Sequence, residues 1–252
     1  MPTCIRLGQM AFAVSWFALF VCLSALAAPP AGAQVEQNDT ELGPIFLLSL
    51  GGKLYDDLFF TLDQNPPAER NPAIPATAPI ADRDGFRCVT CHGWSYDGAE
   101  LGGMRFPGLR ALAGADADAI RARIANPKHP FPIADIPDLA LDLLAFFIRE
   151  GLYEPGTYLD STGVALGNPE FGRAIFEGAC INCHQLDGRR YLRGEPGDRS
   201  SLGWVARTRP EQALHKVLNG IPGAEMLSLR FLSDEEIADL FAYLQMLDPE
   251  EQ

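Results

Sequence analysis

The pentapeptide Cys88-Val-Thr-Cys91-His92 recurs as Cys180-Ile-Asn-Cys183-His184, and this repeat constrains the chain more than any other feature. Of the 6 cysteines, the other two, Cys4 and Cys22, lie in an N-terminal stretch that reads as a leader. The two motifs therefore use every remaining thiol. C-x-x-C-H is the arrangement for covalent haem attachment: two thiols form thioethers with the vinyl groups, and the adjacent histidine offers its imidazole to the iron. Two chance matches at this composition are expected on the order of once in a million chains. Disulfides do not explain a histidine after each pair. A Cys4 zinc site usually brings its pairs closer than the 88 residues that separate these two, and a thioredoxin-like motif needs a βαβ pattern that the flanks lack. The sequence predicts two covalently bound haem c groups, one on Cys88, Cys91 and His92 and one on Cys180, Cys183 and His184.

Residues 1–33 have the layout of a secretory signal peptide: Arg6, an apolar stretch from Met10 to Ala28, then Ala31-Gly32-Ala33. Cleavage after Ala33 predicts a periplasmic protein. The apolar stretch of 19 residues is also long enough to span a membrane if retained, which would anchor the chain facing the periplasm. With 33 acidic against 20 basic residues the formal charge is −13, which disfavours nucleic acid and anionic lipid as partners. The expected partners are redox proteins of the periplasm or of a membrane respiratory chain, with membrane contact only through a retained leader.

The second half reads as helices. Asn168 is a good N-cap with Pro169 at the first helical position, opening a helix with Phe171, Ile175 and Phe176 inward and a stop at Gly178. A long loop follows the haem motif. Thr208-Arg209-Pro210-Glu211 reads as a capping box for a helix with Leu214, Val217 and Leu218 inward, closed by Asn219-Gly220. Ser233-Asp234-Glu235-Glu236 announces another, whose buried stripe contains Ile237, Leu240, Phe241 and Leu244. This order, with Met226 in the loop before the last helix, resembles the small all-helical fold of class I cytochromes c over residues 168–252. The resemblance implies that Gly172, Phe176 and Tyr243 mark where the first and last helices cross.

The first half repeats the plan. Asp142-Leu143-Leu144-Ala145-Phe146 aligns with Asp239-Leu240-Phe241-Ala242-Tyr243 at an offset of 97, against 92 between the motifs. The predicted elements are a helix over 44–61, the motif, a helix over 116–126 and a final helix over 136–150 ended by Gly151. Residues 62–85 contain five prolines and are expected to wrap irregularly over the surface. The expected organisation is all-α: a first cytochrome c-like domain over 34–152, a linker over 153–167 and a second such domain over 168–252. Gly52-Lys53-Leu54-Tyr55-Asp56, Gly85-Phe86-Arg87-Cys88 and Cys91-His92-Gly93-Trp94 also look like a group of exported dihaem cytochromes with a Cys-His-Gly-Trp haem site. That resemblance implies an electron-transfer role.

Each iron needs one more ligand, and its identity separates electron transfer from catalysis. Outside the leader and the motifs the candidates are Met104, Met226, Met246, His129 and His215. Met226, 42 residues after His184, is where the class I pattern places its methionine. Moving back by the repeat offset of 97 lands on His129, which lies 37 residues after His92 and predicts bis-histidine ligation of the first iron. Met104, only 12 residues after His92, is the alternative there. Met246 is explained by packing and His215 by a solvated or propionate-side position, while Trp94, Trp204 and Tyr191 are candidates to pack on haems. The expected function is a carrier of single electrons. Its rival is a haem enzyme, or enzyme subunit, acting on a small sulfur or nitrogen compound, which needs an open site with Arg105 or Lys128 nearby.

Overall fold

Asn168 and Ser233 cap helices in the way their side chains suggest. In the computed structural model, which describes residues 43–126, 129, 136–190 and 201–247, Asn168 accepts from the Glu170 N–H and opens a helix over Pro169–Ala179. Ser233 and Glu236 form a reciprocal capping box on the helix Asp234–Met246, an arrangement worth about 1 kcal/mol. In chain order the helices among the described residues are α1 Pro44–Asp56, α2 Leu58–Thr61, α3 Cys88–His92, α4 Ala117–Ile124, α5 Asp138–Glu150, α6 Pro169–Ala179, α7 Ile181–His184, α8 Leu202–Thr208, α9 Pro210–Asn219 and α10 Asp234–Met246. The strands among them are β1 Glu100–Leu101 and β2 Met104–Arg105, one two-stranded hairpin. The fold is all-α, as expected.

Packing proceeds by two crossings and a seam. α6 crosses α10, with Phe176 fully buried and its ring 5.3 Å from that of Tyr243. At the crossing a Cβ on Gly172 would lie 1.9 Å from the Asp239 carbonyl oxygen, so only glycine admits this approach. In the first half α1 packs on α5, whose buried face carries Leu141, Leu144, Ala145 and Ile148, and α4 lies against α5. The seam is α1 on α9. There a Cβ on Gly52 would meet Asn219 Cγ at 2.2 Å, and Ser49 Oγ donates to the Asn219 carbonyl at 2.8 Å.

Several expectations need correction. The helix expected over 44–61 breaks at Asp57, whose extended backbone (φ −151°) ends α1 and whose side chain caps α2. Gly178 does not stop α6, which runs on to Ala179. The stop comes at Cys180, which ends α6 and opens α7. Phe171 faces outward, 66% exposed, because the apolar face of α6 centres on Gly172 and Phe176. Thr208 caps nothing: it ends α8, an unforeseen helix, by donating to the Trp204 carbonyl. Met246 is exposed rather than packed. The residues expected to link two domains are built into the core: Tyr153, Tyr158 and Leu159 are buried, and the Tyr153 hydroxyl reaches the carbonyls of Trp94 at 2.9 Å and Glu211 at 2.8 Å. Within 62–85, Asn71, Ile74 and Ala78 are buried as well. The leader, Lys128, Tyr191 and residues 192–200 lie outside the described residues.

Candidate haem sites

Cys88, Cys91 and His92 share one turn of helix, α3, so both thiols and the imidazole are delivered from a single rigid element. They open into a cavity of about 400 Å³ whose walls include Tyr55, Leu109, Ile120, Leu144, Ile148 and His129. The lining is overwhelmingly apolar, as a macrocycle with hydrophobic faces requires. Burial pushes the thiols up, Cys88 to about 12 and Cys91 to about 11. Neither is a thiolate at neutral pH, unlike the thiol of a redox or nucleophilic cysteine.

The His92 ring is oriented from behind. Its Nδ1 lies 2.8 Å from the Pro107 carbonyl oxygen. A carbonyl only accepts, so Nδ1 carries the proton and Nε2 keeps its lone pair for a metal. Burial lowers the pKa of His92, and burial together with the neighbouring His92 lowers that of His129. Both rings are thereby held neutral, the form that binds metals. They stand parallel, 6° between planes, with centroids 6.3 Å apart. The His129 N–H donates to the Asn126 carbonyl at 2.7 Å, and the His129 ring lines the cavity. Met104 sits on the hairpin, 47% exposed, and does not line the cavity. Arg105 is exposed beside it.

In the second half α7 presents His184, half-buried, with Cys180 at its N-cap and Cys183 exposed. Burial pushes the Cys180 thiol up to about 11 and lowers the pKa of His184. Met226 is half-buried against the core. Its loop is tethered to α9: the Leu229 N–H donates to the Val217 carbonyl at 3.0 Å, and Ser228 Oγ to that of Leu218 at 2.5 Å. Trp204 lies under the Arg209 guanidinium, 5.0 Å from its carbon.

His215 is not the solvated residue expected from the sequence. It is fully buried at the seam between halves, where its Nε2 lies 3.0 Å from the Gly52 carbonyl and its Nδ1 2.9 Å from the Tyr96 hydroxyl. Nε2 must therefore donate to Gly52, and Nδ1 accepts from Tyr96, so both nitrogens are engaged. Burial pushes its pKa down to about 4. An unfolded histidine takes up its proton near 6.5, so this site contributes fully above that pH and loses roughly 3 kcal/mol of stability as pH falls towards 4. Urea midpoints compared at about pH 7 and about pH 4.5 should show this loss, and His215→Gln, able to keep both hydrogen bonds, should reduce it. An equal acid loss in both proteins would assign the effect to other groups.

A helix that runs into C-x-x-C-H, a tethered methionine loop and a last helix crossing the first are the parts of a c-type cytochrome domain, and such a domain implies covalently bound haem c. Residues 167–244 match the family model described as cytochrome c oxidase, cbb3-type, subunit III. No curated protein matches the chain.

Sequence reasoning missed three contributors to the first site. Pro107 acts through its backbone carbonyl, which no side-chain motif reports. Tyr55 both lines the cavity and donates to the Gly93 carbonyl at 2.6 Å. Arg87, beside the first motif, was legible as a charge but not as part of the cavity wall.

Proposed function

We propose that the protein is an exported dihaem c-type cytochrome that passes single electrons between redox proteins of the periplasm or of a membrane respiratory chain. The first haem is attached to Cys88 and Cys91 and ligated by His92 and His129. The second is attached to Cys180 and Cys183 and ligated by His184 and Met226. The reading is carried by the paired imidazoles: with metal–nitrogen bonds of about 2 Å, rings on opposite faces of one iron have centres roughly 6 Å apart. His92 and His129 are 6.3 Å apart and parallel.

When bound, each haem supplies a one-electron ferric/ferrous couple. The residues around it decide what that couple does. His92 and His129 would hold the first iron between them, leaving a small anion no free position there. Leu109, Ile120, Leu144 and Ile148 keep water from the same space. A thioether from Met226 would favour the ferrous state more than the imidazole of His129 would, which would give the second site the higher potential and direct electrons towards it.

The test is haem content by intact mass, followed by low-temperature electron paramagnetic resonance of the oxidised protein with and without sulfite, thiosulfate and nitrite. Two haems and two unequal low-spin signals indifferent to every anion are expected. The first should be rhombic, because parallel imidazole planes both act on the same iron d orbital and split it from its partner. A high-spin signal, or one that shifts with an anion, would favour the enzyme reading instead.

A further inference from the structure

We propose that Lys216 and Asp56 tune the reduction potential of the first haem in opposite directions, Lys216 raising it and Asp56 lowering it, through Arg87 in the cavity wall. This rests on the proposed haem at His92.

Asp56, the last residue of α1, is 1% exposed. Its carboxylate accepts from Lys216 Nζ at 2.6 Å and from Arg87 Nη2. Arg87 Nε also donates to the Asp56 backbone carbonyl at 2.8 Å. Burial alone would raise the pKa of Asp56, but the ammonium of Lys216 and the guanidinium of Arg87 hold it below the usual carboxylate value. All three groups are therefore charged. Arg87 immediately precedes Cys88 and lines the cavity shared by His92 and His129. It also lines a polar recess with Asp56, Asp57, Arg83 and Lys216. Lys216 comes from α9, in the other half of the chain.

Trp94 fixes the arrangement. Two residues after His92, its ring lies 5.2 Å from Lys216 Nζ and 5.9 Å from the Arg87 guanidinium carbon, and its centroid is 5.2 Å from that of His215. Both cations are held against one indole face system and share one buried acid, so neither swings into solvent without losing both contacts. The side chains of Asp56 and Lys216 are 1% and 18% exposed, which leaves their fields weakly screened by water and salt. Oxidised haem carries one positive charge more than reduced haem. A fixed cation nearby thus favours the reduced form and raises the potential, and a fixed anion does the reverse.

The experiment compares the holoprotein with Lys216→Met and Asp56→Asn by spectroelectrochemical titration of both haems, with paramagnetic resonance to confirm that the ligands are retained. The first haem's midpoint should fall in Lys216→Met and rise in Asp56→Asn, while the second haem's stays put. Removing a charge that matters only for folding would not give opposite signs. If Asp56→Asn fails to fold, Lys216→Arg decides: it keeps the charge and should return the midpoint that Lys216→Met lowers. Midpoints that ignore both substitutions, or shift the same way in both, overturn the inference while leaving the two-haem reading intact. A protein with no haem on Cys88 and Cys91 overturns that reading and this inference with it.

Discussion

Replacing His129 by alanine is expected to abolish one of the two low-spin signals completely and to open the first haem to exogenous ligands. The imidazole of His129 stands parallel to that of His92 across an apolar cavity. Truncation would leave a ring-sized void in the cavity wall where the imidazole stood. A five-coordinate ferric iron is high-spin, so the optical spectrum and the resonance spectrum should change together. Added imidazole should restore the low-spin signal, because it refills the space that the side chain vacated. Met104→Leu should change neither spectrum, since Met104 is half-exposed on the hairpin. Retention of both low-spin signals in His129→Ala would remove His129 from the iron.

The second large effect is expected at the crossing of α6 and α10. Gly172→Ala puts a methyl group 1.9 Å from the Asp239 carbonyl oxygen, and the next nearest atoms are the backbone carbon of Asp239 at 2.4 Å and the Cα of Leu240 at 2.9 Å. Backbone cannot rotate aside as a long side chain can, so the helices must separate. Overpacking of this kind costs about 3 kcal/mol or more. Gly178→Ala, six residues along the same helix, meets nothing within 4 Å and should instead stabilise by about 0.5–1 kcal/mol, since glycine inside a helix is entropically unfavourable. Urea denaturation of the two variants against the parent measures both. Two shifts of the same sign would mean that the crossing is not as close as described.

Local chemistry was legible in the sequence wherever it depended on neighbours in the chain. The caps at Asn168 and Ser233 and the buried stripe of Ile237, Leu240, Phe241 and Leu244 follow from spacing and side-chain type, while the pairing of Phe176 with Tyr243 follows from the resemblance to class I cytochromes c. The repeat offset led to His129, a residue no local motif distinguishes. Long-range terms were not legible. His215 reads as an ordinary polar position of an amphipathic helix, and only the approach of Gly52 and Tyr96, 163 and 119 residues away, makes it a buried one. Tyr153 and Tyr158 looked like linker residues because the partners that bury them, among them Trp94, Glu211 and Asp234, come from distant segments. Thr208 satisfied a capping pattern by coincidence, and its hydroxyl was spent on the helix behind it.

The seam around His215 bears on how such a chain can evolve. Two similar modules joined by a tether can be exchanged, duplicated again or lost one at a time. Here the Gly52 carbonyl, the Tyr96 hydroxyl and the Asn219 carbonyl each find their buried partner across the join. Cutting the chain between α5 and α6 would leave these groups facing water or nothing, and would expose the apolar surfaces of α1 and α9 together. Separating the halves would therefore cost each of them buried hydrogen bonds as well as apolar contact.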